Sequence, residues 1–88
     1  MRKKVGVTLM KLQESGENYL ETILILEKRN GIARSVDVAT ELGFSKPSVS
    51  RAVSILKEGG YVTIGNIGQL LLTDKGRQVA QNIYDRHC

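Results

Sequence analysis

A stretch of residues near the middle of the chain combines short hydroxyl side chains with two cations. Short hydroxyls let a helix approach phosphate groups and base edges closely, and the guanidinium of Arg51 can donate two hydrogen bonds to a guanine. The N-terminal end of a helix also favours a phosphate group. These residue types predict contact with DNA, although a serine-rich helix face can also be merely solvated. The residues concerned are Ser45, Lys46, Pro47, Ser48, Ser50, Arg51 and Ser54.

The remaining sequence offers little of the chemistry that an enzyme requires. Its 88 residues include one histidine and one cysteine, and no nucleophile, base and orienting group occur in a catalytic pattern. A glycine-rich phosphate loop is also missing from the sequence. The single cysteine excludes an internal disulfide and a cysteine-based zinc finger. We therefore expect a binding protein and not an enzyme, in a reduced, cytoplasmic setting.

Length and composition allow one small domain with an aliphatic core. Hydrophobic residues make up 41% of the chain, whereas aromatic residues make up 5% and tryptophan is absent. No apolar stretch approaches the ~20 residues of a membrane span. The start of the chain is basic, but its apolar run is short and interrupted, so it does not predict a signal peptide.

The excess positive charge is concentrated at the N-terminus. Residues 1–16 carry a net charge of +3, and residues 17–88 carry +1. We interpret residues 1–16 as a basic arm that attracts phosphates, or that serves only as a solubilising terminus. Its apolar residues fit either a strand or the start of a helix, and they are surplus hydrophobic surface that could support self-association. They are Val5, Val7, Leu9, Met10 and Leu12.

Residues 17–88 predict a mainly α fold with a small β-hairpin, in which three helices are followed by a two-stranded wing and a C-terminal helix. The Ser15-Gly16 pair is predicted to separate the first helix from the arm. Hydroxyl residues are the N-cap candidates of three helices: Ser15, Ser35 and Thr73. In the third helix, Ser45 or Lys46 precedes Pro47, which is tolerated only in the first turn of a helix. The helices are predicted at residues 15–31, 35–43, 45–60 and 73–88, and the strands at residues 62–64 and 70–72.

The second and third helices form a predicted helix-turn-helix. Ala39 is small where the two helices would pack closest, Gly43 allows a positive φ in the turn, and Val49 plugs the space between the helices. This geometry directs the polar face of the third helix outward, with its other residues in the core. The hairpin tip at residues 65–68 carries no cation and offers Asn66 for a minor DNA contact.

The sequence resembles the N-terminal domain of metal-dependent repressors of the iron-dependent repressor and manganese transport regulator type. The resemblance spans residues 17–88 and rests on the segments ENYLETILIL, SVDVATELGFSKPSVSRAVSILKEGGYV and LTDKGRQVAQNIYDRH. It implies a transcription regulator, in general a repressor, that binds double-stranded DNA as a homodimer. The family's next helix, with further metal ligands and the dimer interface, would follow position 88.

The resemblance also implies a metal site. The matching positions are Asn18 and Glu21 on the first helix and His87 on the last, and Asn18 departs from the family's Asp or sulfur ligand. Two or three donors predict that Mn²⁺, Fe²⁺ or Zn²⁺ binds weakly at most. A winged-helix module that contacts protein and not DNA is the alternative, favoured by the near-neutral body and the uncharged wing.

Overall fold

The computed structural model describes the backbone of residues 2–87 and the side chains of residues 16–86. Within this part of the chain, the predicted order of three helices, a hairpin and a C-terminal helix is confirmed. The elements are α1 (Arg2–Asn30), α2 (Ser35–Leu42), α3 (Lys46–Glu58), β1 (Val62–Ile64), β2 (Leu70–Leu72) and α4 (Asp74–His87). No helix of the described residues is both long enough and apolar enough to cross a membrane.

The first helix is longer than the sequence predicts. It continues through Ser15 and Gly16 from Arg2, so the predicted break and the N-cap at Ser15 are wrong. A glycine inside a helix costs only about 1 kcal/mol relative to alanine, which tertiary packing can outweigh. Gly16 lies close to α3, since a Cβ atom placed on it would be 3.6 Å from Cδ2 of Leu56. This is an ordinary packing distance, so α1 packs against α3 at Gly16 and an alanine would also fit there.

The core lies where α1 meets the other helices and the inner face of the hairpin. Ile23 and Val49 are fully buried, as the spacing of apolar residues predicts. Aliphatic side chains supply most of the cluster, in agreement with the composition. Its largest fully buried side chains are Ile23, Leu24, Val38, Val49, Val62 and Leu70.

The helix-turn-helix forms as predicted around its small residues. Ala39 is buried, and Gly43 ends α2 in the left-handed conformation with a φ of 71°. Its N–H donates to the carbonyl of Ala39 at 2.8 Å. The N-cap of α2 is Arg34, whose side chain makes no capping bond. The predicted cap at Ser35 is thus wrong by one residue, since Ser35 already belongs to the helix.

The hairpin is antiparallel and has the predicted register. Val62 lies opposite Leu72, and Ile64 lies opposite Leu70. The N–H of Leu70 also donates to the carbonyl of Ala33 at 2.7 Å. The segment before α2 is therefore hydrogen-bonded to β2, on the side of β2 that does not face β1.

The start of α4 is fastened to the end of α3. Thr73 caps α4, since its Oγ1 accepts from the N–H of Gly76 at 3.1 Å and donates to the carbonyl of Gly60 at 2.6 Å. Lys75 donates to the carbonyl of Gly59 at 3.1 Å, and its ammonium lies 4.4 Å from the centroid of the Tyr61 ring. These contacts fix the connection between α3 and the wing. The sequence predicted the cap at Thr73 but gave no sign of its tertiary partners.

Candidate nucleic-acid interface

Helix α3 presents its polar face to solvent because its apolar face is held in the core. Val49, Val53 and Leu56 recur at helical spacing and are buried. All seven residues predicted to contact DNA on residues 45–54 are exposed. Their contact with DNA stays a prediction, but the structure brings them together on one accessible surface, which we call the α3 face.

Two of the predicted contacts also stabilise the helix start. Ser45 is the N-cap of α3, and its Oγ accepts from the N–H of Ser48 at 3.3 Å. The same hydroxyl donates to Oγ of Ser48 at 2.9 Å. Pro47 lies in the first turn, where its missing N–H leaves no helical bond unmade. The N-terminal end of α3 is therefore capped and exposed. Because Pro47 has no N–H and that of Ser48 bonds to Ser45, the N–H of Lys46 is the one that these contacts leave for a phosphate oxygen.

Eight of the nine cations whose side chains the structure describes divide into two groups by the contacts that they make, and the ninth, Arg86, is exposed on α4. Lys28, Arg29, Lys75 and Arg77 contact other protein groups. Arg77 forms a bidentate pair with Glu27, with the shorter contact at 2.8 Å, and this hydrogen bond raises the pKa of the guanidinium. Arg29 pairs with Glu41 at 3.2 Å. These contacts neutralise charge on the surfaces of α1, α2 and α4.

The second group of cations remains available for an anionic ligand. Among the described residues, no carboxylate pairs with the exposed Arg34, Lys46, Arg51 or Lys57. Arg34 and Lys57 lie at the start of α2 and in the last turn of α3, whereas Lys46 and Arg51 belong to the α3 face. Four cations without a carboxylate partner among the described residues thus lie on the helix-turn-helix, where positive charge can attract phosphates.

Two large apolar residues of the helix-turn-helix are exposed, and one of them, Ile55, was predicted to lie in the core. Phe44 in the turn is 47% exposed and Ile55 on α3 is 45% exposed. The ring of Phe44 lies 6.0 Å from the ring of the buried Tyr19, and burial raises the pKa of Tyr19. Ile55 lies one turn after Arg51, so it adds apolar surface beside the α3 face. Its position four residues after Arg51 was the sequence signal for this placement.

Asn66 is exposed at the tip of the hairpin, as predicted. The tip also carries Ile67, which is 66% exposed and which sequence reasoning did not single out. The described part of the wing contains no cation. Its contact with DNA would therefore rest on amide and apolar groups and not on charge.

The predicted metal ligands are only partly described. Asn18 is exposed and Glu21 is half-buried one turn later on α1, and Glu21 takes part in an interaction of its own. The side chain of His87 lies outside the described residues. Within residues 16–86, no three His, Cys, Asp or Glu side chains cluster in a way that could hold a metal ion. One amide and one carboxylate do not fill a transition-metal site.

Comparison with known proteins confirms the resemblance seen in the sequence. Residues 11–66 match the family model described as the iron dependent repressor, N-terminal DNA binding domain. The chain is similar to the HTH-type transcriptional regulator MntR of Geobacillus kaustophilus, with 37% identity over 73 residues. That match covers 83% of this chain and 52% of the relative. The chain thus spans about half the length of the curated relatives it matches.

Solved structures of winged-helix regulators share the fold. A transcriptional regulator from Thermotoga maritima has a TM-score of 0.62 at 21% identity, covering 97% of this chain and 70% of that chain. A MarR family protein from Bacillus stearothermophilus has a TM-score of 0.63 at 11% identity, covering 97% and 69% of the two chains. At these identities the likeness establishes the fold alone.

Proposed function

Because the chain belongs to the iron-dependent repressor family, we propose that it binds a specific sequence of double-stranded DNA and represses transcription there. The observation that carries this proposal is the α3 face, which combines an ordered helix start with unpaired cations. A helix-turn-helix places such a helix in the major groove, with its N-terminal residues at the base edges.

Each part of the α3 face has a distinct task in this proposal. Arg51 reads a guanine by donating two hydrogen bonds to its N7 and O6 atoms. Lys46 holds a phosphate through its ammonium group and its backbone N–H at the start of α3, and Arg34 and Lys57 hold phosphates at the margins of the α3 face. Ser50 and Ser54 are small enough to let the helix backbone approach the groove. The junction of Thr73 and Lys75 keeps the wing fixed relative to α3.

Dimerisation on DNA belongs to the same proposal. One winged helix covers one half-site, so a palindromic site requires two copies. In the N-terminal half of α1, Val5, Leu9 and Leu12 recur at intervals of four and three residues. This spacing places them on one helix face, as in a helix-to-helix contact. Val7 and Met10 fall on another side of the same helix.

Metal regulation is the family property with the least support from the described residues. A bound Mn²⁺, Fe²⁺ or Zn²⁺ would neutralise and orient its ligands, for which Asn18, Glu21 and His87 are the candidates. We propose that the 88-residue chain holds such an ion weakly and that its DNA affinity does not depend on it. We also propose a cytoplasmic setting for the chain, where it would meet its DNA site.

The test is a comparison of selected and random duplexes in a binding titration. Duplexes enriched by the chain from a random library should bind more tightly than random duplexes, with an affinity that falls as salt rises. Arg51→Ala should lower the preference by roughly 1–3 kcal/mol at one base pair. Arg86→Ala removes the same charge from α4 and should leave the preference unchanged.

Two outcomes would count against this function. An unchanged ratio of selected to random affinity in Arg51→Ala would remove the base-reading role of that residue. If the chain enriches no duplex from the random library and its DNA affinity does not depend on salt, the alternative is favoured, which is a winged-helix module that contacts protein.

A further inference from the structure

The most exposed large apolar side chain of the described residues lies at the tip of the wing. Ile67 is 66% exposed and is flanked by Asn66 and Gly68. Leu71, on the outward face of the same hairpin, is 40% exposed. Isolated apolar residues are common on protein surfaces, so exposure alone assigns no role to Ile67.

Hydrogen bonds hold the tip in one shape. The carboxamide Oε1 of Gln69 accepts from the N–H of Ile67 at 3.0 Å. The N–H of Gly65 donates to the carbonyl of Gln69 at 2.8 Å, and the N–H of Gly68 donates to the carbonyl of Gly65 at 3.1 Å. A Cβ atom at Gly65 would collide with the Gln69 carboxamide. The N–H of Ile67 is therefore satisfied within the tip, while its side chain is exposed.

At its root, the wing is hydrogen-bonded to two residues that are sequence neighbours of unpaired cations. β1 follows the end of α3 after three residues, and the N–H of Tyr61 donates to the carbonyl of Leu56, next to Lys57. On the other strand, Leu70 is bonded to Ala33, next to Arg34. Both cations suit phosphates, whereas the tip carries none. A wing seated on phosphates at its root would extend its uncharged tip beyond the backbone and into a groove.

We propose that Ile67 is an apolar wedge that lies against the floor of the DNA minor groove, with the amide of Asn66 beside it. This inference rests on the proposed function. Proteins that bind the minor groove commonly combine an amide or a cation with an apolar wedge. The guanine 2-amino group is the donor that distinguishes G·C pairs from A·T pairs in that groove. The wedge therefore favours base pairs that have no 2-amino group in the minor groove.

The experiment titrates a duplex enriched by the native chain from a random library. Ile67→Ala should weaken binding by about tenfold, in proportion to the apolar surface lost. Leu71→Ala is the matched control, because it removes the same number of atoms from the outward face of the hairpin, and it should bind like the native chain. Ile67→Ala should leave the salt dependence unchanged, whereas Lys57→Gln should lower its slope by about one.

Replacing guanine with inosine in the duplex tests whether the tip of the wing lies in the minor groove. Replacing guanine with inosine removes the 2-amino group from the minor groove and leaves the major-groove acceptors N7 and O6 in place. At base pairs beneath the wing, this replacement should tighten binding by the native chain and by Leu71→Ala. Binding by Ile67→Ala should not respond to it.

Other outcomes overturn the wedge in distinguishable ways. If Ile67→Ala binds and responds to inosine like the native chain while Arg51→Ala loses its preference, the wedge is wrong and the proposed function stands. If no duplex is enriched, the proposed function fails and the wedge fails with it. If sedimentation shows that Ile67→Ala separates a dimer while the inosine response persists, the tip contacts a second copy of this chain and not DNA.

Discussion

The backbone of Gly76, in the first turn of α4, lies directly against the carbonyl oxygen of Tyr61, so that a Cβ atom at position 76 would collide with it. The same oxygen accepts from the N–H of Thr73 at 3.0 Å. The junction between α3, the wing and α4 therefore requires a glycine at this position for space. Gly76 is also buried, as the predicted inner face of the last helix implies.

We expect Gly76→Ala to destabilise the domain by roughly 1–3 kcal/mol, because the added methyl group forces the junction apart. Urea denaturation would measure the change in the free energy of unfolding. Gly16→Ala is the control, since its Cβ atom would make an ordinary 3.6 Å contact with Leu56. That substitution should stabilise the helix by about 0.5–1 kcal/mol. A loss of stability in Gly16→Ala would indicate that α1 does not continue through this position.

The basic residues at the start of α1 should add affinity without sequence preference. Replacing Arg2, Lys3 and Lys4 with glutamine should weaken selected and random duplexes alike. The slope of log affinity against log salt should fall by up to about three if each residue neutralises one phosphate. Titration at several salt concentrations measures both effects. An unchanged slope would identify these residues as a solubilising terminus only.

Self-association should depend on the apolar residues that share one face in the N-terminal half of α1. These residues are Val5, Leu9 and Leu12. Val5→Ser with Leu9→Ser should shift a dimer to monomer in sedimentation equilibrium, because both changes remove apolar surface from one helix face. Val7→Ser with Met10→Ser is the matched control on another side of the helix. A native chain that stays monomeric at high concentration would discard this interface.

Metal should bind weakly and leave DNA affinity unchanged. Calorimetric titration with Mn²⁺ and with Zn²⁺ should give little heat in the native chain, because the candidate ligands Asn18, Glu21 and His87 provide too few donors. Glu21→Ala with His87→Ala should behave similarly. Tight binding that is lost in the double variant, together with metal-dependent DNA affinity, would show that the site is complete.

Helix starts, helix ends and caps could be predicted from the sequence alone, because they depend on residues that are close together along the chain. Ser45 and Pro47 start α3, Gly43 ends α2, and Thr73 caps α4, since each acts through its own backbone position or its nearest neighbours. The core face of α3 followed from the helical spacing of its apolar residues. The family was also evident, because its motifs are contiguous segments of sequence.

Contacts between distant segments determine which charges and apolar groups remain available to a ligand. Glu27 and Arg77 are 50 residues apart in sequence and pair across two helices, whereas Arg51 has no carboxylate partner among the described residues. Helical spacing puts Ile55 one turn after Arg51, but the neighbouring elements determine whether that flank of the helix is covered. The same reason explains Gly16, where a local break signal yields to the packing of α1 against α3. Local rules fix the elements, and contacts between distant segments fix the surface that they present.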